Sequence, residues 1–244
     1  MNFSKVLICA PTASAKNYCF DEWIKNVMDF TYPNFEVALF DNTKDKGKNS
    51  DYLNNRYKEI FGNNNKFKAY HSDTDNIKSV IERMCVSHNM CRDMALNKGY
   101  EYILHLETDI FPERDIIETL MYHNKKVVGA LYDRDEGKWR KTMLQWRVYS
   151  SNYNVESINF EAGQELSILS GGLKEFSHIG LGCVLIKTKV FEKIKFRFVQ
   201  GKDSHPDTYF AEDCFRNQIP IYADTSKYCR HDNTAWGIYG LDFI

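Results

Sequence analysis

The chain carries almost no net charge, no long apolar run and no CxxC pair, and each absence removes a class of function. It has 32 basic and 33 acidic residues, a net charge of -1. No whole-molecule field therefore draws it to nucleic acid or to an anionic membrane. No stretch approaches the roughly 20 apolar residues of a membrane span. The N-terminus runs straight into an apolar strand, Lys5–Ala10. It lacks the longer apolar region and cleavage site of a secretory leader. The expectation is a soluble, cytoplasmic protein with at most peripheral membrane contact. Seven cysteines are scattered at positions 9, 19, 85, 91, 183, 214 and 229. Without a CxxC pair they do not form a zinc ribbon, and a Cys214, Cys229 and His231 grouping fits no usual zinc spacing. Cys9 and Cys183 lie in apolar runs and read as small buried hydrophobes, which favours a reducing compartment. Repeats, low-complexity tracts and linkers are also missing. The length of 244 residues suits one α/β domain, 1–244.

What the chain does contain is an alternation of strand and helix signals. Val6–Ala10 reads as a strand closed by Pro11-Thr12. Asn17–Phe30 reads as a helix with Phe20, Trp23, Ile24 and Val27 on one face. Phe35–Phe40 is a second strand ending in Asp41-Asn42-Thr43, and Lys44–Ser50 reads as a mobile polar loop. Tyr52–Phe61 reads as a helix, Phe67–His71 as a strand, and Ile77–Asn97 as a long helix closed by Gly99. A strand at Tyr102–Leu106 completes the series. This βαβαβαβ order predicts a parallel, doubly wound sheet.

The second half departs from that rhythm. Arg114–His123, Thr188–Ile194 and Tyr209–Asn217 read as short helices, and Val127–Leu131 and Ile219–Ala223 as strands. Thr142–Ser170 reads as antiparallel strands or an extended loop. Phe176–Lys187 carries Gly180 and Gly182 ahead of an apolar strand.

The densest chemistry is at Tyr102–Asp109, where an apolar strand runs into Glu107 and Asp109. Residues two apart share one side of an extended chain. Two carboxylates there suit a hard divalent cation. Ligands of doubly wound sheets bind at the carboxyl ends of strands, and Pro11, Thr12, Asp41, Glu107 and Asp109 all fall at such ends. Two acids at i, i+2 are common, and the position after a buried strand is what gives these weight.

These segments together resemble the GT-A glycosyltransferases, in particular the large family 2 of inverting enzymes. The resemblance spans nearly the whole chain. It is clearest over Lys5–Asp41, Asn89–Pro112 and Ile179–Asp232, and Thr31–Thr43 is similar to the family's opening signature. The implied fold is a mostly parallel doubly wound sheet with a smaller antiparallel acceptor-side region. Residues 1–112 would be the nucleotide-binding half and 113–244 the acceptor-side half. Asp41 would accept from the nucleobase. Glu107-Thr108-Asp109 matches the DxD motif with Glu in the first position. Asp109 would bind Mn²⁺ or Mg²⁺ directly, His231 would complete the metal shell, and Glu107 would contact ribose or a metal-bound water. Ala211-Glu212-Asp213 resembles the xED motif at a helix start, where the dipole favours an anion. Asp213 would then be the general base and Glu212 would orient the acceptor. Ile179–Cys183 resembles the glycine loop, where Gly180 and Gly182 would let backbone approach the donor.

Arg92, Arg134 and Arg230 are candidates for neutralising the diphosphate. Trp139-Arg140-Lys141 with Trp146-Arg147 suits sugar rings or phosphates. The implied activity is transfer of a sugar from a nucleotide diphosphate donor, with UDP the expected carrier, to an acceptor hydroxyl. The acceptor is open among a saccharide, a lipid carrier, a protein and a modified nucleobase. Three other readings stand beside this one. A retaining enzyme shares the same acids. A nucleotidyltransferase normally has a glycine-rich phosphate loop, which Pro11–Ala15 lacks. The third is a non-catalytic sugar- or partner-binding domain.

Overall fold

The structure, a computed structural model, describes residues 3–136, 139–149, 154–161, 171–202 and 205–232, with side chains described outside 133–170. In chain order the elements are β1 (Val6–Thr12), α1 (Phe20–Met28), β2 (Phe35–Asp41), α2 (Lys48–Phe61), β3 (Phe67–His71), α3 (Val80–Asn97) and β4 (Tyr102–Leu106). Then come β5 (Ile110–Phe111), α4 (Ile116–Tyr122), β6 (Val127–Leu131), β7 (Asp133–Glu136), β8 (Trp139–Tyr149) and β9 (Asn154–Glu161). The last are β10 (Leu173–Phe176), β11 (His178–Ile179), β12 (Cys183–Lys187), α5 (Pro206–Arg216), β13 (Ile221–Tyr228) and β14 (Arg230–His231).

One eight-stranded sheet, ordered β10-β13-β6-β12-β4-β1-β2-β3, takes strands from both halves of the sequence. The block β4-β1-β2-β3 is parallel, as the βα alternation predicts. β12 then runs antiparallel to both β4 and β6, while β13 is parallel to β6. β1 is buried along its whole length. Val6, Ile8 and Ala10 face one core and Leu7 and Cys9 the other. Burial on both faces explains why β1 reads as a continuous apolar run rather than an alternating one.

Phe20, Trp23, Ile24 and Val27 form the buried stripe of α1, at the i, i+3, i+4, i+7 spacing that sequence predicts. α3 begins at Ser79, whose side chain accepts from the Glu82 amide at 3.2 Å, and Gly99 follows it at φ +68°.

Several boundaries differ from expectation. β1 does not close at Pro11-Thr12. Both residues are in the strand, paired with Phe40 and Asp41. The helix expected from Asn17 is a 3₁₀ turn at Ser14–Cys19 followed by α1. Lys44–Ser50 is no mobile loop. Asp45 accepts from the amides of Gly47 and Asn49, at 3.0 and 2.8 Å, and α2 starts at Lys48. Gly47 sits at φ +86°, a left-handed conformation that glycine adopts without a Cβ penalty. The 142–170 stretch contributes β8 and β9, an antiparallel pair, and 162–170 lies outside the described residues. No helix among the described residues is long and apolar enough to cross a membrane.

Candidate active site

Glu107 and Asp109 follow β4 directly, at the carboxyl edge of the parallel block. Two local devices fix them. The Glu107 amide donates to the Gly182 carbonyl at 3.0 Å, and the Ile110 amide closes a turn onto the Glu107 carbonyl at 3.0 Å. β5 then pairs antiparallel with β14, Ile110 opposite His231. The Asp232 amide donates to the Asp109 carbonyl at 2.8 Å. This short ribbon delivers the imidazole from the far end of the described chain. His231 Nε2 lies 3.6 Å from Asp109 Oδ2.

Lys16 of the Ser14–Cys19 turn supplies the cation. Its Nζ donates to Glu107 Oε2 at 2.8 Å and to the Asp109 carboxylate at 3.0 Å. The Asp109 side chain is fully buried and that of Lys16 is 22% exposed. Burial alone would raise the Asp109 pKa, but the Lys16 charge and the His231 contact outweigh it and hold the carboxyl well below the usual range. Burial would likewise lower Lys16, and the charges of Asp109 and Glu107 carry it above its ordinary value. Sequence reasoning missed Lys16. It lies in a 3₁₀ turn without hydrophobic periodicity, and no spacing rule links it to acids more than 90 positions away.

Asp41, fully buried at the end of β2, forms the other pole. Its Oδ1 accepts from the Thr43 amide at 3.1 Å, the Thr43 hydroxyl at 2.6 Å and Asn49 Nδ2 at 3.0 Å. Oδ2 is buried without a hydrogen-bond partner. Burial raises this carboxyl above its ordinary pKa against the pull of those donors. Asn17 Nδ2 donates to Asn49 Oδ1 at 2.7 Å, and the Ser14 amide donates to Thr43 Oγ1 at 2.8 Å. The turn that carries Lys16 is thus tied at its other side to Asp41.

The remaining expected residues divide. Gly182 is buried beside Tyr132, whose hydroxyl accepts from the Gly182 amide at 2.9 Å. A Cβ there would lie 2.5–2.7 Å from the Tyr132 ring and hydroxyl. The glycine is required by this tyrosine. Gly180 is buried in the same segment. Arg92 is not at the carboxyl edge. Its Nε donates to the carbonyls of Phe191 and Ile194, both at 3.1 Å, and its guanidinium pairs with Asp93, so it fastens α3 to the following segment. Arg230 pairs with Glu22 and stacks over Phe111 at 3.8 Å. The side chains of Arg134 and of the Trp139–Arg147 segment lie outside the described residues. Cys214 and Cys229 belong to the cores on opposite faces of the sheet, so no zinc site joins them with His231.

Glu212 and Asp213 are not at a helix start. α5 begins at Pro206 and places them in its later turns. Arg197 takes the part expected of the helix dipole. Its Nε donates to Asp213 Oδ2 at 3.0 Å and its Nη2 to Asp213 Oδ1 at 3.3 Å, while Nη2 also pairs with Glu212. The guanidinium lies 4.2 Å above the Tyr209 ring. The acid in the first turn of α5 is Asp207, with His178 Nε2 3.9 Å from its Oδ2. The charges of Glu107, Asp207 and Asp109 all act on the Tyr132 hydroxyl, which burial chiefly pushes upward. Proline at N1 followed by an acid was the available sequence signal for this helix start.

A hard divalent ion fits the Asp109–His231 pair. Ligands about 2.1 Å from one ion sit roughly 3 Å apart when adjacent, close to the 3.6 Å observed. Among the described residues Glu107 does not join them in a compact ligand set, because the Lys16 ammonium stands between the carboxylates.

No protein-family model matches the sequence, and no curated protein matches it either. Solved structures do match in shape. GalNAc-T7 with UDP, GalNAc and Mn²⁺ superposes with a TM-score of 0.61 at 11% identity over 94% of this chain. TarS 1-349 of S. aureus in complex with UDP-GlcNAc gives 0.58 at 13% identity over 93%. The chain spans 44% and 58% of the lengths of those two chains. An apolar β4 ending in acids, an antiparallel β12 beside it and a histidine returned by β14 are therefore set in a known architecture: the chain has the GT-A glycosyltransferase fold.

Proposed function

We propose that the protein transfers a sugar from a nucleotide diphosphate donor, UDP-sugar first, to an acceptor hydroxyl with inversion at the anomeric carbon. The observation that carries this reading is the convergence of Lys16, Glu107, Asp109 and His231 on one sheet edge, with Asp41 tied to the same turn. The similar GT-A structures were solved with UDP, UDP-GlcNAc and Mn²⁺, which supports the same donor class here.

Each residue has a task that its surroundings suit. Asp41 Oδ2 accepts an imide N–H of the base, which provides the donor that this buried oxygen lacks. The Lys16 ammonium faces the diphosphate and offsets the charge that builds on it as the sugar leaves. Mn²⁺ or Mg²⁺ held by Asp109 and His231, with Glu107 close by, would supply further neutralisation of the leaving group. A carboxylate takes the proton from the acceptor hydroxyl, the hydroxyl oxygen bonds to the anomeric carbon, and the glycosidic C–O electron pair departs with the diphosphate.

Asp207 is better placed than Asp213 to be that base. Both Asp213 oxygens accept from Arg197, whereas Asp207 stands in the first turn of α5, its Oδ1 accepting from the Thr208 amide at 2.7 Å and its Oδ2 lying 3.9 Å from His178 Nε2. Asp213 and Glu212 then orient the acceptor side through Arg197 and Tyr209.

A screen of nucleotide-sugars that scores released nucleoside diphosphate, with and without Mn²⁺, tests the reading. Release from a UDP-sugar is the expected result. Inert behaviour toward all donors, with no UDP binding by calorimetry, would leave a non-catalytic domain.

A further inference from the structure

On the other face of β1 and β4, under α3, the structure holds a second cluster of metal-binding side chains. Cys9 and His105 are register partners on the adjacent parallel strands. Cys91 comes down on them from α3. One ligand atom from each of Cys9, Cys91 and His105 lies within 4.8 Å of the other two. All three side chains are fully buried.

The imidazole is the informative member. Neither nitrogen of His105 has a hydrogen-bond partner. A fully buried polar ring in that state calls for an explanation, and edge contacts with Phe191 and Phe196, at centroid distances of 6.2 and 5.7 Å, offer no hydrogen-bond acceptor of ordinary strength. His88 stands on α3 one turn before Cys91, its ring centroid 5.3 Å from that of His105, and its Nδ1 is also buried without a partner. Two thiols and an imidazole thus meet in a compact set, with a second imidazole beside it, where an apolar core would be expected.

We propose that Cys9, Cys91 and His105 hold a structural Zn²⁺ ion. The ligand chemistry is that of closed zinc centres, which combine thiolate and imidazole donors. Charge favours it as well. Two thiolates and a neutral imidazole cancel the charge of a divalent ion, and a net-neutral complex is what a solvent-free location demands. The ion would fasten α3 to β1 and β4. Cys9 precedes Pro11 by two residues and His105 precedes Glu107 by two, so the fastening would lie directly behind the donor-binding edge without being part of it.

The test reads the metal itself. Protein purified without metal-affinity steps is analysed for bound metals, and protein refolded in Co²⁺ is examined for a thiolate-to-cobalt charge-transfer band. The carboxylate–histidine pair at Asp109 cannot give that band, so the two sites are distinguished. One zinc per chain is expected, with the cobalt band present in wild type and lost in Cys91→Ala and in His105→Phe. Asp109→Asn should keep both signals. Wild-type protein without zinc that also shows no band after cobalt refolding overturns the proposal. So does a His105→Phe variant that keeps a full equivalent of zinc. If both variants fail to fold, the wild-type zinc content and cobalt band decide alone.

Discussion

Lys16 and Asp109 are 93 positions apart in the sequence and 3.0 Å apart in space, and the ammonium that joins them also reaches Glu107. The acidic edge therefore folds with a cation already in place.

Removing that cation is expected to cost stability as well as donor binding. Lys16→Met leaves a fully buried Asp109 carboxylate against its neighbour. Breaking a buried pair costs about 3–5 kcal/mol, and the partial exposure of Lys16 brings the expectation to about 2–3 kcal/mol. Mn²⁺ should recover part of this loss, because a divalent ion at Asp109 and His231 would offset the carboxylate left without its ammonium partner. Urea denaturation of the variant with and without Mn²⁺ reads both effects. Wild-type stability in the absence of metal would refute the pairing.

The base pole has its own pH signature. The pKa of Asp41 is raised by burial. Between its ordinary value near 3.9 and the raised folded value, the folded state holds more protons than the unfolded one, so stability falls as pH rises. Relative to Asp41→Asn, wild type should gain stability as pH drops from neutral toward about 4. UDP binding should weaken over the same interval, since a protonated Oδ2 no longer accepts from the base. Calorimetric titrations at several pH values, with denaturation curves for both proteins, check the two slopes. Parallel curves would remove Asp41 from the base site.

The two candidate bases separate by kinetics. Asp207→Asn should retain UDP binding and lose transfer by roughly 10²–10⁴-fold. Asp213→Asn should act mainly through the Arg197 contact and raise the acceptor KM. If Asp213→Asn shows the large kcat loss and Asp207→Asn does not, the assignment reverts to Asp213. A product with retained anomeric configuration would exclude the single-displacement scheme.

Gly182→Ala should disturb both core and site. The added Cβ meets the Tyr132 ring within 2.7 Å. Overpacking of this kind costs about 1–3 kcal/mol. The Glu107 amide is bonded to the Gly182 carbonyl, so donor affinity should fall too. Tyr132→Phe removes only one hydrogen bond and should have the smaller effect on both. Thermal denaturation and UDP titration of the pair provide the comparison.

What the sequence made legible was the end of each strand. Asp41, Glu107 and Asp109 follow apolar runs whose burial needs no tertiary information, and His231 followed from family resemblance. The direction of β12 was not legible, since a fully buried strand presents the same apolar run in a parallel or an antiparallel neighbourhood. Lys16 was hidden because its partners are remote and its turn has no period. The xED resemblance implies a helix start at Asp213 and the sequence reads as helical only from Tyr209, while the backbone helix begins earlier, at Pro206. Arg92 looked available for phosphate because a sequence does not show main-chain carbonyls, and two of these claim it.

The β5–β14 ribbon has a kinetic consequence. Ile110 and His231 pair across 121 positions of sequence, and closing such distant contacts is the slow part of folding for a topology of this kind. A compact intermediate holding only the parallel block would possess Lys16, Glu107 and Asp109 but no imidazole beside them. Metal and nucleotide should consequently bind the finished fold far better than any precursor, and ligand present during refolding should stabilise the end state by mass action while leaving the early rates unchanged.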